Sequence, residues 1–272
     1  MSTKLFTITL LLLCLSSSAF AIAPIGPPKA DIKTGWWFDG FDYSKSKTDL
    51  KIKNALLFDV LSNGTLKDFN VDLFLGKLGH GINDNWTIFA GLGVAKADIF
   101  SKQIARSGDN YLTKYYDMDG DLALATQLGT KATFYRTGPF EIGALFQVTW
   151  LSLDGTMEET NYIKTEYWDT GKADLETDIM LTQFAPGVSY AINDYSSFYG
   201  GPLFQWIDGD SKAKGKSGLF STASDNADIE EERSFGCWFG LQVEIEEETT
   251  CNIEYQSIGS SNTIGFNLST RF

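Results

Sequence analysis

Thr263-Ile264-Gly265-Phe266-Asn267-Leu268-Ser269-Thr270-Arg271-Phe272 closes the chain, and its alternation decides the fold. One face carries Ile264, Phe266, Leu268, Thr270 and Phe272, and the other carries Gly265, Asn267, Ser269 and Arg271. Period two is the spacing of a strand, because successive side chains leave a pleated backbone on opposite sides. A helix would repeat its apolar residues at three and four instead. The segment therefore reads as a strand with one greasy face, running to an aromatic final residue.

The other end of the chain carries a matching pattern. Lys4 precedes an apolar run from Leu5 to Leu15, followed by Ser16-Ser17-Ser18-Ala19-Phe20-Ala21. This is the layout of a secretory leader, and it predicts a signal peptide over 1–21, with Ala21-Ile22-Ala23 as a second cleavage option. Residues 22–30 contain Pro24, Pro27 and Pro28, which block regular pairing, so they are expected to form a periplasmic tail. Residues 31–272 remain as one barrel domain. The net charge of −13 at pH 7 disfavours nucleic acid, whose phosphates require clustered Lys and Arg. After the leader no run approaches the ~18 apolar residues of a spanning helix, whereas a spanning strand needs only ~9–11. Aromatics at 14% and 26 glycines against 6 prolines also favour strands.

From residue 31 one unit repeats: strand, short turn, strand, long polar stretch. The short turns are Asn83-Asp84-Asn85, Arg136-Thr137-Gly138-Pro139, Asn193-Asp194-Tyr195-Ser196 and Glu247-Glu248-Thr249-Thr250. The stretches 104–118, 156–173 and 211–231 are rich in Ser, Asp, Glu, Lys and Gly and read as long loops. Short turns on one side and long connections on the other are the signature of a transmembrane barrel. Strands are expected near 32–48, 67–82, 86–98, 120–134, 140–150, 180–192, 198–206, 234–245, 251–257 and the terminal segment. The fold class is thus all-β, an antiparallel up-and-down transmembrane barrel of about ten strands, with eight or twelve as alternatives. The weak region is 44–68, where Leu50 to Leu61 reads as a possible extra strand. Alternation also changes phase near Gly76, which predicts a bulge.

Alternation alone does not say which face meets lipid. The second face decides it: Gly91, Gly93, Ala95 and Ala97; Ala123, Ala125, Gln127 and Gly129; Gln183, Ala185, Gly187 and Ser189. A soluble barrel would put Lys, Glu and Thr there. Small and amide side chains suit a narrow interior, so the bulky residues face outward. Phe140 and Trp150 share that outer face ten residues apart, about 33 Å along a strand at ~3.3 Å per residue. At a tilt of ~40° this is a height of roughly 25 Å, the depth of an apolar band between aromatic girdles. Trp86, Phe140, Trp150, Tyr190, Phe198 and Trp206 are the girdle candidates.

Gly76-Lys77-Leu78-Gly79-His80-Gly81-Ile82-Asn83-Asp84-Asn85-Trp86-Thr87-Ile88-Phe89-Ala90-Gly91-Leu92-Gly93, with the leader and the terminal Phe272, resembles the hairpins of small bacterial outer-membrane β-barrel proteins of the porin-like and OmpA/OmpW-like kind. The resemblance covers the whole mature chain and is architectural. It implies Sec export to the Gram-negative outer membrane and insertion by the outer-membrane assembly machinery. Phe266, Leu268, Thr270 and Phe272 of the last strand would then be the assembly signal. Outer-membrane lipids and lipopolysaccharide are the implied surroundings, with a monomer as the default state.

Little in the sequence points to chemistry. His80 is the one histidine, so a Ser-His-Asp or metal site must run through it, and it falls beside a short turn. A histidine-dependent hydrolase is thereby disfavoured, and no enzyme activity and no cofactor are expected. Asp117-Met118-Asp119-Gly120-Asp121 has oxygen-ligand spacing but lacks the glycine at six and glutamate at twelve of a calcium loop. It reads as an acidic loop entering a strand. Cys14 lies in the leader, and Leu13 before it argues against lipidation. Cys237 and Cys251 sit at opposite ends of a hairpin, roughly 30 Å apart, far beyond the ~7 Å reach of a disulfide. Two free, membrane-facing thiols are expected.

The small-residue face also holds Lys131, Glu141, Glu244, Glu254 and Arg271. Buried charges must be paired or wet. Lys131 and Glu141 belong to one hairpin, and Arg271 is expected within reach of Glu254. These residues form either a solute-selecting constriction or a static network filling the interior. Acid concentrates in 154–178 and 225–232, interleaved with Tyr162, Tyr167 and Trp168, whereas 212–216 is basic. The expected function is a porin-like barrel with a narrow polar lumen passing small solutes or ions. The alternative is a closed structural or surface-interaction barrel acting through its acidic outer loops.

Overall fold

The computed structural model describes residues 23–30, 32–57, 60–107, 110–163, 166–217, 220–231, 234–259 and 261–272. The expected leader over 1–21 lies outside them. The strands are β1 (Trp37–Leu57), β2 (Val60–Asn83), β3 (Trp86–Ser107), β4 (Asn110–Gly120), β5 (Ala123–Thr137), β6 (Phe140–Ile163), β7 (Glu166–Asn193), β8 (Ser196–Ser217), β9 (Phe220–Glu231), β10 (Phe235–Glu246), β11 (Thr249–Ile258) and β12 (Ser261–Arg271). All pair antiparallel in one sheet, which closes where β12 meets β1 from Phe38↔Arg271 to Lys47↔Asn262.

The twelve strands of the described residues make only ten ring positions. β3 pairs with β5 over Trp86–Ala95 and with β4 over Asp98–Ser107, so β4 and β5 are two parts of one wall. β8 likewise pairs with β10 over Ser196–Phe204 and with β9 over Asp208–Ser217. The ring then narrows. Beyond Lys47 the β1 strand leaves β12 and pairs with β9, from Leu50↔Glu231 to Lys53↔Asp228. The β11–β12 hairpin ends below this crossing, at the Ile258↔Ser261 pair. The barrel is therefore ten-stranded at the short-turn end and eight-stranded beyond it.

The described residues of 104–118, 156–173 and 211–231, stretches expected as long loops, are strands. β6 and β7 stay in register from Phe140↔Tyr190 to Asn161↔Asp169, well past the apolar band. Outside lipid the outer face of a ladder meets water, so the outward apolar residues are no longer required although the backbone bonds continue. The Leu50 to Leu61 question resolves the same way: residues 50–57 extend β1 and 60–61 begin β2. No bulge occurs at Gly76. β2 keeps register with β3 from Phe69↔Ile99 through Gly81↔Thr87, and its irregularities against β1 fall at Thr48/Leu50 and Ile52/Ala55. The change of phase has another cause. Odd-numbered residues of β2 from Phe69 to Gly81 point inward, and they change from Lys77 and Gly79 to the apolar Leu75, Leu73, Val71 and Phe69.

Candidate functional site

The lumen is where the strands bring polar and charged side chains together, and it is divided into two layers. In the outer layer, inward residues of β2 through β9 form one apolar cluster, including Phe69, Val71, Leu73, Leu75, Leu151, Leu153, Ile179, Leu181, Ile207 and Ile229. Leu73, Leu75, Leu151 and Leu181 are at most 1% exposed, so no water-sized space adjoins them. An eight-stranded interior is just wide enough to be filled by side chains, which is why this layer closes at the narrowing. The ten-stranded part below is wider and needs more to fill it.

Residues 23–30 fill it. The tail expected on the periplasmic side runs inside the barrel, entering between the turns and ending with Ala23 against the apolar layer. Extended backbone without a sheet partner must find other acceptors and donors for its amides. The Ile25 and Gly26 N–H groups donate to the two oxygens of Glu254, at 2.6 and 2.7 Å. Gln147 Nε2 donates to the Pro24 carbonyl (3.2 Å) and Gln256 Nε2 to the Ala23 carbonyl (3.0 Å). Ala30 N–H donates to Thr133 Oγ1, and Lys29 pairs with Glu141 at 2.8 Å. Prolines at 24, 27 and 28 keep the segment out of the sheet, and here they hold it extended along the axis.

A glutamine belt supports this arrangement. Gln147 Nε2 donates to Gln183 Oε1 (2.6 Å), Gln183 Nε2 to Gln205 Oε1 (3.0 Å), and Gln256 Nε2 to Glu254 Oε1 (2.7 Å). Further along β11 on the same face, Asn252 donates to Asn267 and Asn267 donates to Asp42 Oδ1 at 2.6 Å. Asp42 also forms an ion pair with Lys77, both side chains nearly fully buried, and Lys77 Nζ lies 4.7 Å from the Phe89 ring centroid. A buried pair of this kind persists only when further contacts satisfy its remaining groups.

Each residue singled out from sequence can now be placed. Glu254 holds the tail and does not reach Arg271, whose Nη2 pairs with Glu244 at 3.1 Å. Glu141 binds Arg136 and Lys29. Lys131 faces the tail beside Gly26. Lys131, Glu244 and Arg271, with Lys29, Asp42 and Lys77, line a cavity of about 220 Å³ between the tail and the β7–β8 turn. Trp86, Phe140, Trp150, Tyr190, Phe198 and Trp206 stand exposed on the outer surface. His80 also faces outward, its ring 4.5 Å from that of Trp37. Asp117 and Asp119 lie on strand β4 rather than in a loop, with Asp119 paired to Lys96 at 2.6 Å, and no metal-ligand cluster occurs among the described residues. Cys237 is free and exposed; Cys251 is free but buried, between Val243 and Leu268 on the neighbouring strands.

Sequence reasoning missed the Asp42–Lys77 pair and the inward apolar layer. Both had a trace. Asp42 shares parity with Ser44, Ser46 and Thr48, and the phase change at Gly76 marks where β2 swaps a polar interior for a greasy one.

No protein-family model matches the sequence, and no characterised protein matches it in sequence. Among solved structures, the outer membrane protease OmpT from Escherichia coli aligns with a TM-score of 0.52 at 7% identity, over 91% of this chain and 96% of that one. Ail, the attachment invasion locus protein of Yersinia pestis, aligns at 15% identity over 88% of this chain and 99% of that one, with a TM-score of 0.27. The outer membrane protein OprG from Pseudomonas aeruginosa aligns at 11% identity over 87% and 96%, with a TM-score of 0.34. At such identities only architecture is shared, and OmpT carries that likeness. The chain has the fold of a bacterial outer-membrane β-barrel.

Proposed function

We propose that this protein is a closed outer-membrane barrel that works through its surface rather than as a pore. The supporting observation is the apolar layer around Leu73, Leu151 and Leu181, which fills much of the interior where the ring narrows. The tail gripped by Glu254 is a second stopper beneath it. What remains accessible is the eight-stranded extension beyond the membrane, whose acidic stretches 154–178 and 225–232 favour a cationic or cation-bridged contact. The leader directs Sec export, and cleavage after Ala21 frees residues 22–30 to enter the lumen. The assembly machinery reads the strand ending at Phe272, and the monomer sits among outer-membrane lipids and lipopolysaccharide. No catalysis is assigned, because His80 lies on the lipid face against Trp37 with no carboxylate or hydroxyl bonded to it among the described residues.

Planar-bilayer recording tests this reading. The mature chain is expected to stay silent, and so is a variant lacking 22–30, because the apolar side chains carried by the strands are present in both. Stepwise openings of the wild-type chain, with ion selectivity that moves in Glu244→Gln or Arg271→Gln, would instead establish the porin-like reading.

A further inference from the structure

On the outer wall near the short-turn end, a groove of about 640 Å³ crosses β12, β1, β2 and β3. Its sides are apolar: Phe41, Leu78, Leu92 and Leu268, of which Leu78 and Leu92 are 50% and 62% exposed. Its floor is Gly76. One carboxylate, that of Asp39, lines the groove and is exposed on the lipid-facing side.

Two features of the groove are not accounted for by the packing of the barrel itself. The first is Asp39. It has no hydrogen-bond or ion-pair partner among the described residues. Lys77 also lines the groove, but its side chain points inward and is engaged by Asp42, while Arg271 is engaged by Glu244. An ionisable side chain on a lipid-facing wall is a functional candidate whose partner must be named. The second is Gly76. A Cβ at Gly40 or Gly93 would run into neighbouring backbone, so those glycines are sterically required. A Cβ at Gly76 would meet only the Leu92 carbonyl oxygen at 3.6 Å, an ordinary contact. Glycine weakens a strand and leaves the floor bare, a cost that makes sense where something else approaches closely.

Depth identifies the occupant. Asp39 is two residues from Trp37, about 7 Å along the strand and roughly 5 Å in height at the usual tilt. With the short turns in the periplasm, this is the headgroup boundary of the inner leaflet. The cation available at that boundary is the ammonium of a phospholipid.

We propose that this groove is a binding site for an inner-leaflet phospholipid with a primary ammonium headgroup. The ammonium donates to the Asp39 carboxylate, and one acyl chain lies over Gly76 between Leu78 and Leu92. The site does not depend on whether the lumen is open.

The test uses the full mature barrel in nanodiscs of equimolar phosphatidylethanolamine and phosphatidylglycerol, extracted into detergent and weighed with its retained lipid by native mass spectrometry. Wild type is expected to retain phosphatidylethanolamine over phosphatidylglycerol by about tenfold, the scale of one charge-assisted hydrogen bond. Asp39→Asn should bring that ratio near one while lipid is still retained. Gly76→Leu, which has room to fold, should reduce retained lipid of both kinds by filling the floor. Equal retention by wild type overturns the proposal, as does an undiminished preference in Asp39→Asn. A protein dimer without lipid, seated on this face, would also overturn it.

Discussion

The two halves of the lumen solve one problem in opposite ways. Around the crossing of β1 onto β9 the ring narrows to eight strands, and leucines and isoleucines pack much of the interior there. Below it the ring has ten strands, and the wider space holds a strand-excluded segment, the amides and carboxylates that grip it, and a cavity of about 220 Å³ beside it. Strand number sets the radius, and radius decides whether side chains alone can fill the interior. A peptide brought in as filler carries its own N–H and C=O groups, so polar residues must come with it. The glutamines and Glu254 are thus a consequence of two additional strands.

That comparison is broken hardest at Lys77. Lys77→Met removes one partner of a buried ion pair and leaves Asp42 uncompensated beside Asn267, which should cost about 4 kcal/mol. Asp42→Asn combined with Lys77→Met removes both charges and should recover most of it. Urea unfolding from lipid vesicles measures both. If the single and double variants are equally unstable, the pair is solvated from the cavity it lines and its two charges do not depend on each other.

The contrast also explains what the sequence revealed. The outer wall was legible because lipid imposes one demand on it, and Trp86, Ile88, Leu92 and Val94 answer with strict alternation. The ring of about ten followed from counting such segments. The interior was harder to read, because inward positions meet different fillers at different heights. Gly91, Gly93 and Gln183 suggested a hollow lined by small and amide groups, whereas Leu73, Leu181 and Trp238 point inward just as firmly. The tail could not be seen at all: three prolines say that a segment leaves the sheet, not where it goes. Glu254 and Arg271 shared a face and neighbouring strands, but their partners were decided by the tail and by Glu244.

A second pair of substitutions sharpens the difference between the halves. Leu181 is fully buried among side chains fixed on strands, and Ile25 is 1% exposed on the tail. Leu181→Ala should leave a cavity that rigid walls cannot close, costing about 3 kcal/mol. Ile25→Ala opens similar space, but a segment without sheet partners can shift into it, so about 2 kcal/mol is expected. The same urea titration resolves the difference. Equal losses would mean that the tail is as rigid as the wall.

The smallest effect is expected where the tail meets the turns. Asp84, in the β2–β3 turn outside the membrane-spanning strands, accepts hydrogen bonds from Thr34 N (3.0 Å) and Thr34 Oγ1 (2.7 Å). These two bonds, the backbone one first, hold its carboxyl below its ordinary value of 3.8. A carboxyl with a depressed native value stabilises above its unfolded value and loses that contribution as pH falls through the native one. The latch should therefore be complete above about pH 4 and open as pH drops further. Asp84→Asn keeps an acceptor oxygen but nothing that titrates, so it should remove the pH dependence at little cost in stability. Hydrogen exchange over residues 32–38, corrected for intrinsic rates and followed from pH 5 to below 3, is the measurement. Protection lost on acidification in wild type but constant in Asp84→Asn would place the hinge of the tail at Thr34. Identical profiles would mean that the Gly35 and Gly81 backbone bonds, Gly35 N to Gly81 O and Gly81 N to Trp36 O, hold the entry point by themselves.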